Sequence, residues 1–280
     1  SERDQVQTNR EHPNNSAFPE IYPDHNLPTV YRYNSFQGII KQSTPDGMKH
    51  DTQSGEYIVT RTESNFYYDD NARLVASQNA KQANHPTTPQ FSFIRYDQLG
   101  RIIYSGQVYS STAPYDLAYT EYLTYSSYDT WLNSNTTRDQ IVFTQYDEPY
   151  STTINGYFIA QSGQQNLRNR VASVFRDEDN DGNYDNAIHY SYDVHGNAQT
   201  VIRDVPALFP LGKHLNKMTY TYDLISGNVL TMTSLSGQTG QLTHRYSYDA
   251  DNRLHRVYTK TAASNWETDA KYFYYATGAL

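Results

Sequence analysis

The chain has 280 residues, a formal net charge of −8, no cysteine, and 28 tyrosines against 10 phenylalanines and 2 tryptophans. Such an acidic chain has no basic stripe to displace counterions from phosphate, which excludes nucleic acid as a partner, and without cysteine there are no disulfides or thiolate metal sites. No run of 18 apolar residues is present, so this segment holds no membrane-spanning helix.

Residues 1–26 open SERDQVQTNR, without an initiator Met or a charged-then-apolar signal segment. They read as an irregular lead-in, and the parent polypeptide is expected to be longer at both ends. From Leu27 to Leu280 one unit recurs, aromatic-x-Tyr-Asp-x-x-Gly-Arg/Asn-aliphatic. A weak copy stands at Tyr31-Arg32-Tyr33-Asn34. Phe66-Tyr67-Tyr68-Asp69 then leads to Arg73-Leu74, with Ala72 in the glycine place. A clear copy follows at Ile94-Arg95-Tyr96-Asp97-Gln98-Leu99-Gly100-Arg101-Ile102.

From about 107 to 139 the period breaks, which predicts an insertion. Ala113-Pro114 interrupts strand pairing there. Tyr115, Tyr119, Tyr122, Tyr125 and Tyr128 stand 4, 3, 3 and 3 apart, the spacing of a short amphipathic helix, although Thr120 and Thr124 are poor helix formers. After a weak copy at Tyr146-Asp147, the repeats resume at Tyr190-Ser191-Tyr192-Asp193-Val194-His195-Gly196-Asn197-Ala198. They continue at Tyr220-Thr221-Tyr222-Asp223 (with Gly227-Asn228-Val229) and Tyr246-Ser247-Tyr248-Asp249 (with Asn252-Arg253-Leu254), and the last is Tyr272-Phe273-Tyr274-Tyr275.

Each part of the unit has a physical reason. Aromatics two apart lie on one face of a strand. The Asp accepts a backbone N–H two residues on and starts a turn. The Gly supplies a left-handed residue, which Asn tolerates and Ala fits poorly, so the turn at Ala72 is expected to be distorted. One repeat is therefore one β-hairpin, and because a lone hairpin is marginal in water, successive hairpins must pair edge to edge. Small polar residues between the aromatics, such as Ser191, Thr221 and Ser247, predict a hydrophilic opposite face.

A second constellation, Asp177-Glu178-Asp179-Asn180-Asp181-Gly182-Asn183-Tyr184-Asp185, sits between strand-like runs. It reads D-x-D-x-D-G-x-x-D, which offers the oxygens that calcium needs from one short loop. Asp177, Asp179, Asp181 and Asp185 would give carboxylates and Asn183 a backbone carbonyl, to a structural Ca2+ that pins the hairpin. Ile188 stands where an EF-hand has its bidentate Glu, so the loop resembles the calcium loops of integrin-type propellers instead. The alternative is a solvated acidic turn. For catalysis there is no His-Glu-x-x-His, no phosphate loop and no Gly-x-Ser-x-Gly elbow. His195 reads as an exposed turn residue, His189 as facing opposite to Tyr190, and no catalytic residue is assigned.

The repeat resembles the YD repeat of the Rhs family, related to the cocoon of tripartite insecticidal toxin complexes and to teneurin adhesion proteins. Stretches such as LPTVYRYNS, YDQLGRI and AIHYSYDVHGN look most like long Rhs-type proteins of Bacteroidetes bacteria. The resemblance implies an all-β ribbon of hairpins spiralling into a hollow shell. In Rhs and toxin-complex proteins that shell encloses a C-terminal toxin, freed by an aspartate-based self-cleavage. The Asp-Pro signature of that cleavage is absent here, so this segment would be wall only. Its partner would be the rest of its own long polypeptide, including an enclosed C-terminal domain, in a protein secreted or held at a bacterial cell surface. The teneurin likeness leaves open a cell-surface adhesion module that binds glycan or a partner protein.

Overall fold

The computed structural model describes residues 29–44, 49–50, 57–58, 63–150, 163–275 and 277–278, and the lead-in expected over 1–26 lies outside them. The chain is all-β and divides into two compact units, residues 1–139 and 140–280.

In the first unit β1 (Val30–Tyr33), β2 (Ile39–Ser43), β5 (Glu63–Tyr68), β6 (Leu74–Gln78), β7 (Gln90–Tyr96) and β8 (Ile102–Tyr109) lie side by side in that order, all antiparallel. A separate small hairpin joins β3 (Lys49–His50) to β4 (Tyr57–Ile58). The four-residue helix α1 (Ala80–Ala83) follows β6, with Asn79 and Gln82 closing a reciprocal capping box. A loop after β8 leads to the second helix, α2 (Tyr125–Ser134), whose N-cap Thr124 accepts from Ser127 N.

Helical spacing of the tyrosines pointed to a helix in this stretch, but only Tyr125 and Tyr128 are in it. Tyr115, Tyr119 and Tyr122 precede it in the loop. The helix starts where a Thr can cap it, beyond Pro114 and Thr120. Its buried stripe is Tyr128, Trp131 and Leu132, the i, i+3, i+4 pattern of one helix face. These side chains close the first unit's core against the sheet. Trp131 packs edge-on against Phe91, and the buried Tyr128 hydroxyl donates to the carbonyls of Val75 (3.0 Å) and Ile94 (2.8 Å).

The second unit contains most of β9 (Arg138–Tyr146) and then β10 (Val171–Asp177), β11 (Asn186–Tyr192), β12 (Ala198–Asp204), β13 (Leu215–Tyr222), β14 (Val229–Ser234), β15 (Leu242–Tyr248), β16 (Leu254–Thr261) and β17 (Glu267–Lys271), each antiparallel to the next. Tyr190 and Tyr192 stack on one face, as do Tyr220 and Tyr222. The opposite face, expected to be hydrophilic, is instead where this unit buries its side chains, with Phe175, Ala187 and Ile202 beside Ser173, Ser191 and Thr200. Tyr150, Gln164 and Gln165 cover it. The Gln164 amide donates to the carbonyls of Ala172 and Tyr190, and Gln165 N donates to Ser191 Oγ.

Six hairpins share one irregularity. The Tyr before the turn pairs with the aliphatic residue after it, and a bulge follows at once, at Tyr33↔Ile39, Tyr68↔Leu74, Tyr96↔Ile102, Tyr192↔Ala198, Tyr222↔Val229 and Tyr248↔Leu254. A turn of five residues, or of six at 223–228, sets that register, and the added residue of the return strand increases local twist.

Candidate functional site

The chemistry of this chain is concentrated where one hairpin meets the next. At Asp97 the turn is closed by backbone bonds Gly100 N→Asp97 O (3.0 Å) and Asp97 N→Arg101 O (2.9 Å). Asp97 Oδ1 accepts from Leu99 N and Arg101 N, and Oδ2 accepts from Arg101 Nε at 2.6 Å. The same arrangement recurs at Asp69 with Asn71 and Arg73, at Asp193 with His195 and Asn197, and at Asp249 with Asp251 and Arg253. At Asp223, Ile225 and Ser226 are the donors. Asn34 serves Phe36 and Gly38 in the same way, so the weak first copy is a complete turn.

The left-handed place holds Gly100, Gly196 and Gly227 at φ 79°, 96° and 73°, and Asn252 at 60°. Ala72 occupies it at φ 57° and keeps the full set of turn hydrogen bonds, contrary to the distortion expected. Strain is carried in one backbone angle while the Asp69 network holds the rest of the turn in place.

Burial pushes the Asp97 and Asp193 carboxyls up, but the donors on Arg101 and Asn197 outweigh it and both stay below the usual carboxylate range. The Asp223 and Asp249 carboxyls are also held low, first by the backbone N–H of Ser226 and of Arg253.

Successive hairpins are joined at six places by the second aromatic of the repeat, a tyrosine. Its hydroxyl donates to the carbonyl of the aliphatic residue opening the previous return strand: Tyr68 to Ile39 (3.0 Å), Tyr96 to Leu74 (2.7 Å), Tyr192 to Val171 (2.8 Å), Tyr222 to Ala198 (2.8 Å), Tyr248 to Val229 (2.8 Å) and Tyr274 to Leu254 (2.9 Å). The arginine beside that carbonyl covers the same ring, Arg73 at 4.7 Å from the Tyr96 centre and Arg253 at 4.7 Å from Tyr274. Motif reading explained the tyrosine ring and missed this role of its hydroxyl. The recurring spacing was the available signal, since it repeats the hydroxyl as faithfully as the ring.

The copy at Tyr146-Asp147 is split. Asn169 N donates to Asp147 Oδ1 at 2.6 Å, Asn169 takes the left-handed place at φ 57°, and Tyr146 pairs with Val171. Between Asp147 and Asn169 stand 21 residues where the Asp97 turn has two, a second departure from the period that the tyrosine spacing did not isolate.

The acidic loop joins β10 to β11. Oxygens of Asp177, Asp179 and Asp185 lie within 4.8 Å of one another. Asp177 accepts from Asn180 N and Gly182 N, and Asp185 from Glu178 N. Asp181 is not in the group: its carboxylate accepts from Asn183 N at 2.7 Å and faces the Asn183 amide. Three of the five expected ligands thus converge, while Asp181 and Asn183 engage each other.

His189 faces opposite to Tyr190 and is buried. Its Nδ1 lies 2.8 Å from Ser173 Oγ, and the ring sits between Tyr150 and Phe175. Burial brings its pKa down to about 4. His195 is exposed at a turn.

No family model and no curated protein matches this chain. Among solved structures it is similar to TcdB2-TccC3-TEV, at 12% identity and a TM-score of 0.49, over 97% of this chain and 13% of that one. It is similar to the Photorhabdus luminescens Tc holotoxin pore at 13% identity and a TM-score of 0.35, over 99% of this chain and 13% of that one. A porin-like protein from Bacteroides uniformis is similar at 10% identity and a TM-score of 0.31, over 86% of each chain. The chain thus spans 13% of the toxin-complex chains it resembles.

Proposed function

We propose that this chain is a wall segment of a secreted or surface-held Rhs-type repeat protein, and that its role is enclosure of cargo rather than catalysis. The observation that carries the reading is the repeated joint, in which an Asp closes each turn, an Arg or Asn completes it, and the next tyrosine bonds back to the strand before. A joint of this kind can be extended indefinitely, one hairpin at a time, and converts sequence repetition into continuous sheet. The enclosed material would be a C-terminal domain of the same polypeptide. Limited proteolysis of the intact polypeptide tests this: the C-terminal domain should resist protease until the wall is unfolded. A domain cut as fast in the native protein as after denaturation would defeat the proposal.

A second reading is adhesion to a partner protein through the turn tips. Val194, Leu224 and Ile225 favour it, being 80%, 80% and 97% exposed on neighbouring turns. Fast digestion of the C-terminal domain, together with loss of surface binding in Ile225→Ser, would favour this reading.

Calcium is proposed as a structural ligand of the Asp177–Asp185 loop, held by Asp177, Asp179 and Asp185. Their spacing suits one cation at ordinary calcium–oxygen distances of about 2.3–2.6 Å. Calcium should raise the melting temperature of the wild type and leave Asp185→Asn unmoved. An equal response in both would exclude the loop as the site.

A further inference from the structure

The face of the second unit that carries Ser191 and Thr200 runs on across the ladder, through Thr200↔Thr219, Thr219↔Thr233, Thr233↔Thr243 and Thr243↔Lys260. On β15, β16 and β17 it ends in a group of cations. Arg245 is exposed and stands directly across from Tyr258, with Arg256 and Lys260 two residues to either side of Tyr258 on the same face. Arg245 lies over two rings, 4.5 Å from the centre of Tyr258 and 4.6 Å from that of Trp266, and Lys260 is 4.9 Å from the centre of Trp266. Arg256 is paired in the ladder with Lys271.

Like charges set directly opposite one another destabilise a sheet unless something neutralises them. The nearby carboxylates are otherwise placed. Asp249 and Asp251 are held by Arg253, and Glu267 is paired with Thr259, which puts it on the other side of the sheet. Among the described residues, none of Arg245, Arg256, Lys260 and Lys271 has a carboxylate partner. In a chain of net charge −8, four unpaired cations on two adjacent strands point to an anion from outside.

The geometry restricts what carries that anion. Bases and sugars need a bare ring to stack on, and here cations lie over both rings. A stacked guanidinium keeps its N–H donors free, because they lie in its own plane and suit a carboxylate. An extended peptide presents alternate side chains on one face about 7 Å apart. Arg256, Arg245 and Lys260 follow one another at that same interval, two residues of β16 to each step. A long polyanion would also meet the rest of an acidic chain, whereas a short segment stays within the patch. We propose that this face docks a short acidic polypeptide segment in extended form, its carboxylates received by Arg256, Arg245 and Lys260 in turn. The proposal depends on neither reading of the wall, since it needs no hollow interior and no turn-tip contact.

Fluorescence anisotropy of a labelled eight-residue peptide of alternating Glu and Thr, titrated with the whole chain, tests it. The peptide should bind, more weakly as salt is raised, and its Gln-Thr counterpart should not. Arg245→Gln and Lys260→Gln should each weaken binding about fivefold, the loss of one exposed ion pair. Lys81→Gln, in the first unit, should leave it unchanged. Circular dichroism should show all three variants folded. Absence of binding, equal binding of the Gln-Thr peptide, or unchanged affinity in a folded Arg245→Gln or Lys260→Gln variant would overturn the assignment. So would tighter binding of an oligothymidylate of the same length, which would make the face a phosphate site.

Discussion

The carboxylate of Asp69 has no exposed surface, yet it carries a full set of donors, two backbone N–H groups and the Arg73 side chain, which reaches it at 2.7 Å. Removing it would leave the three-quarters-buried Arg73 and two turn amides without their acceptor. Asp69→Ala is therefore expected to cost about 3 kcal/mol in urea unfolding, the usual penalty for breaking a buried pair. Asp251→Ala, which deletes only a 71%-exposed partner of Arg253, should change stability by less than about 0.5 kcal/mol. His189 presents the opposite case, a base kept neutral by burial. Its native pKa of about 4 lies below the ordinary 6.5, so the unfolded chain takes up the proton first. The contribution of neutral His189 is complete above about pH 6.5 and is lost progressively as pH falls toward 4. The loss amounts to about 3 kcal/mol for a shift of this size. Urea midpoints measured across that range should fall for the wild type and stay flatter for His189→Leu. Parallel curves would show that the ring is not the titrating group.

At the scale of elements, the staples and α2 stabilise the sheet differently. The Tyr96 hydroxyl makes one bond to Leu74 while its ring stays under Arg73. Tyr96→Phe is expected to cost about 1 kcal/mol. Tyr128 reaches two carbonyls, on β6 and β7, from a fully buried position on α2. Tyr128→Phe removes the hydroxyl that bonds to both strands at once and should cost roughly twice as much, about 2 kcal/mol. Equal losses in the two variants, by chemical denaturation, would mean that the helix adds nothing beyond another hydroxyl. The helix itself was legible from tyrosine spacing, but its start was not. Spacing continues unbroken from Tyr115, whereas only Thr124 offers a side-chain cap where the loop delivers the chain to the sheet.

For the molecule as a whole, among the described residues each strand of the second unit pairs only with its sequence neighbours, so stability should be local and passed along from hairpin to hairpin. Asp249→Ala, which opens the turn between β15 and β16, is expected to reduce amide protection most in those two strands. The effect should be smaller in β14 and β17 and absent from β10 and β11. Hydrogen exchange with mass readout distinguishes this from all-or-none behaviour, in which protection would fall equally across the unit.

The hairpin unit and its turns were readable from residues alone, because Tyr, Asp and Gly each act within a few positions of themselves. An Asp reaches amides two and four residues on, and a left-handed residue is needed wherever the turn closes. The calcium loop was readable as spacing, but the direction of each carboxylate depends on competing backbone donors. Asp181 is drawn to Asn183 while Asp177, Asp179 and Asp185 converge. Other features required the tertiary structure because they join residues distant in sequence. The Tyr96 hydroxyl finds a carbonyl 22 positions away, and Asp147 finds its turn partner across 21 intervening residues. Ser191, small and polar like any wet strand residue, is buried because Gln164 and Gln165 lie over it. No local pattern marks such a residue, since its burial is decided by what covers it.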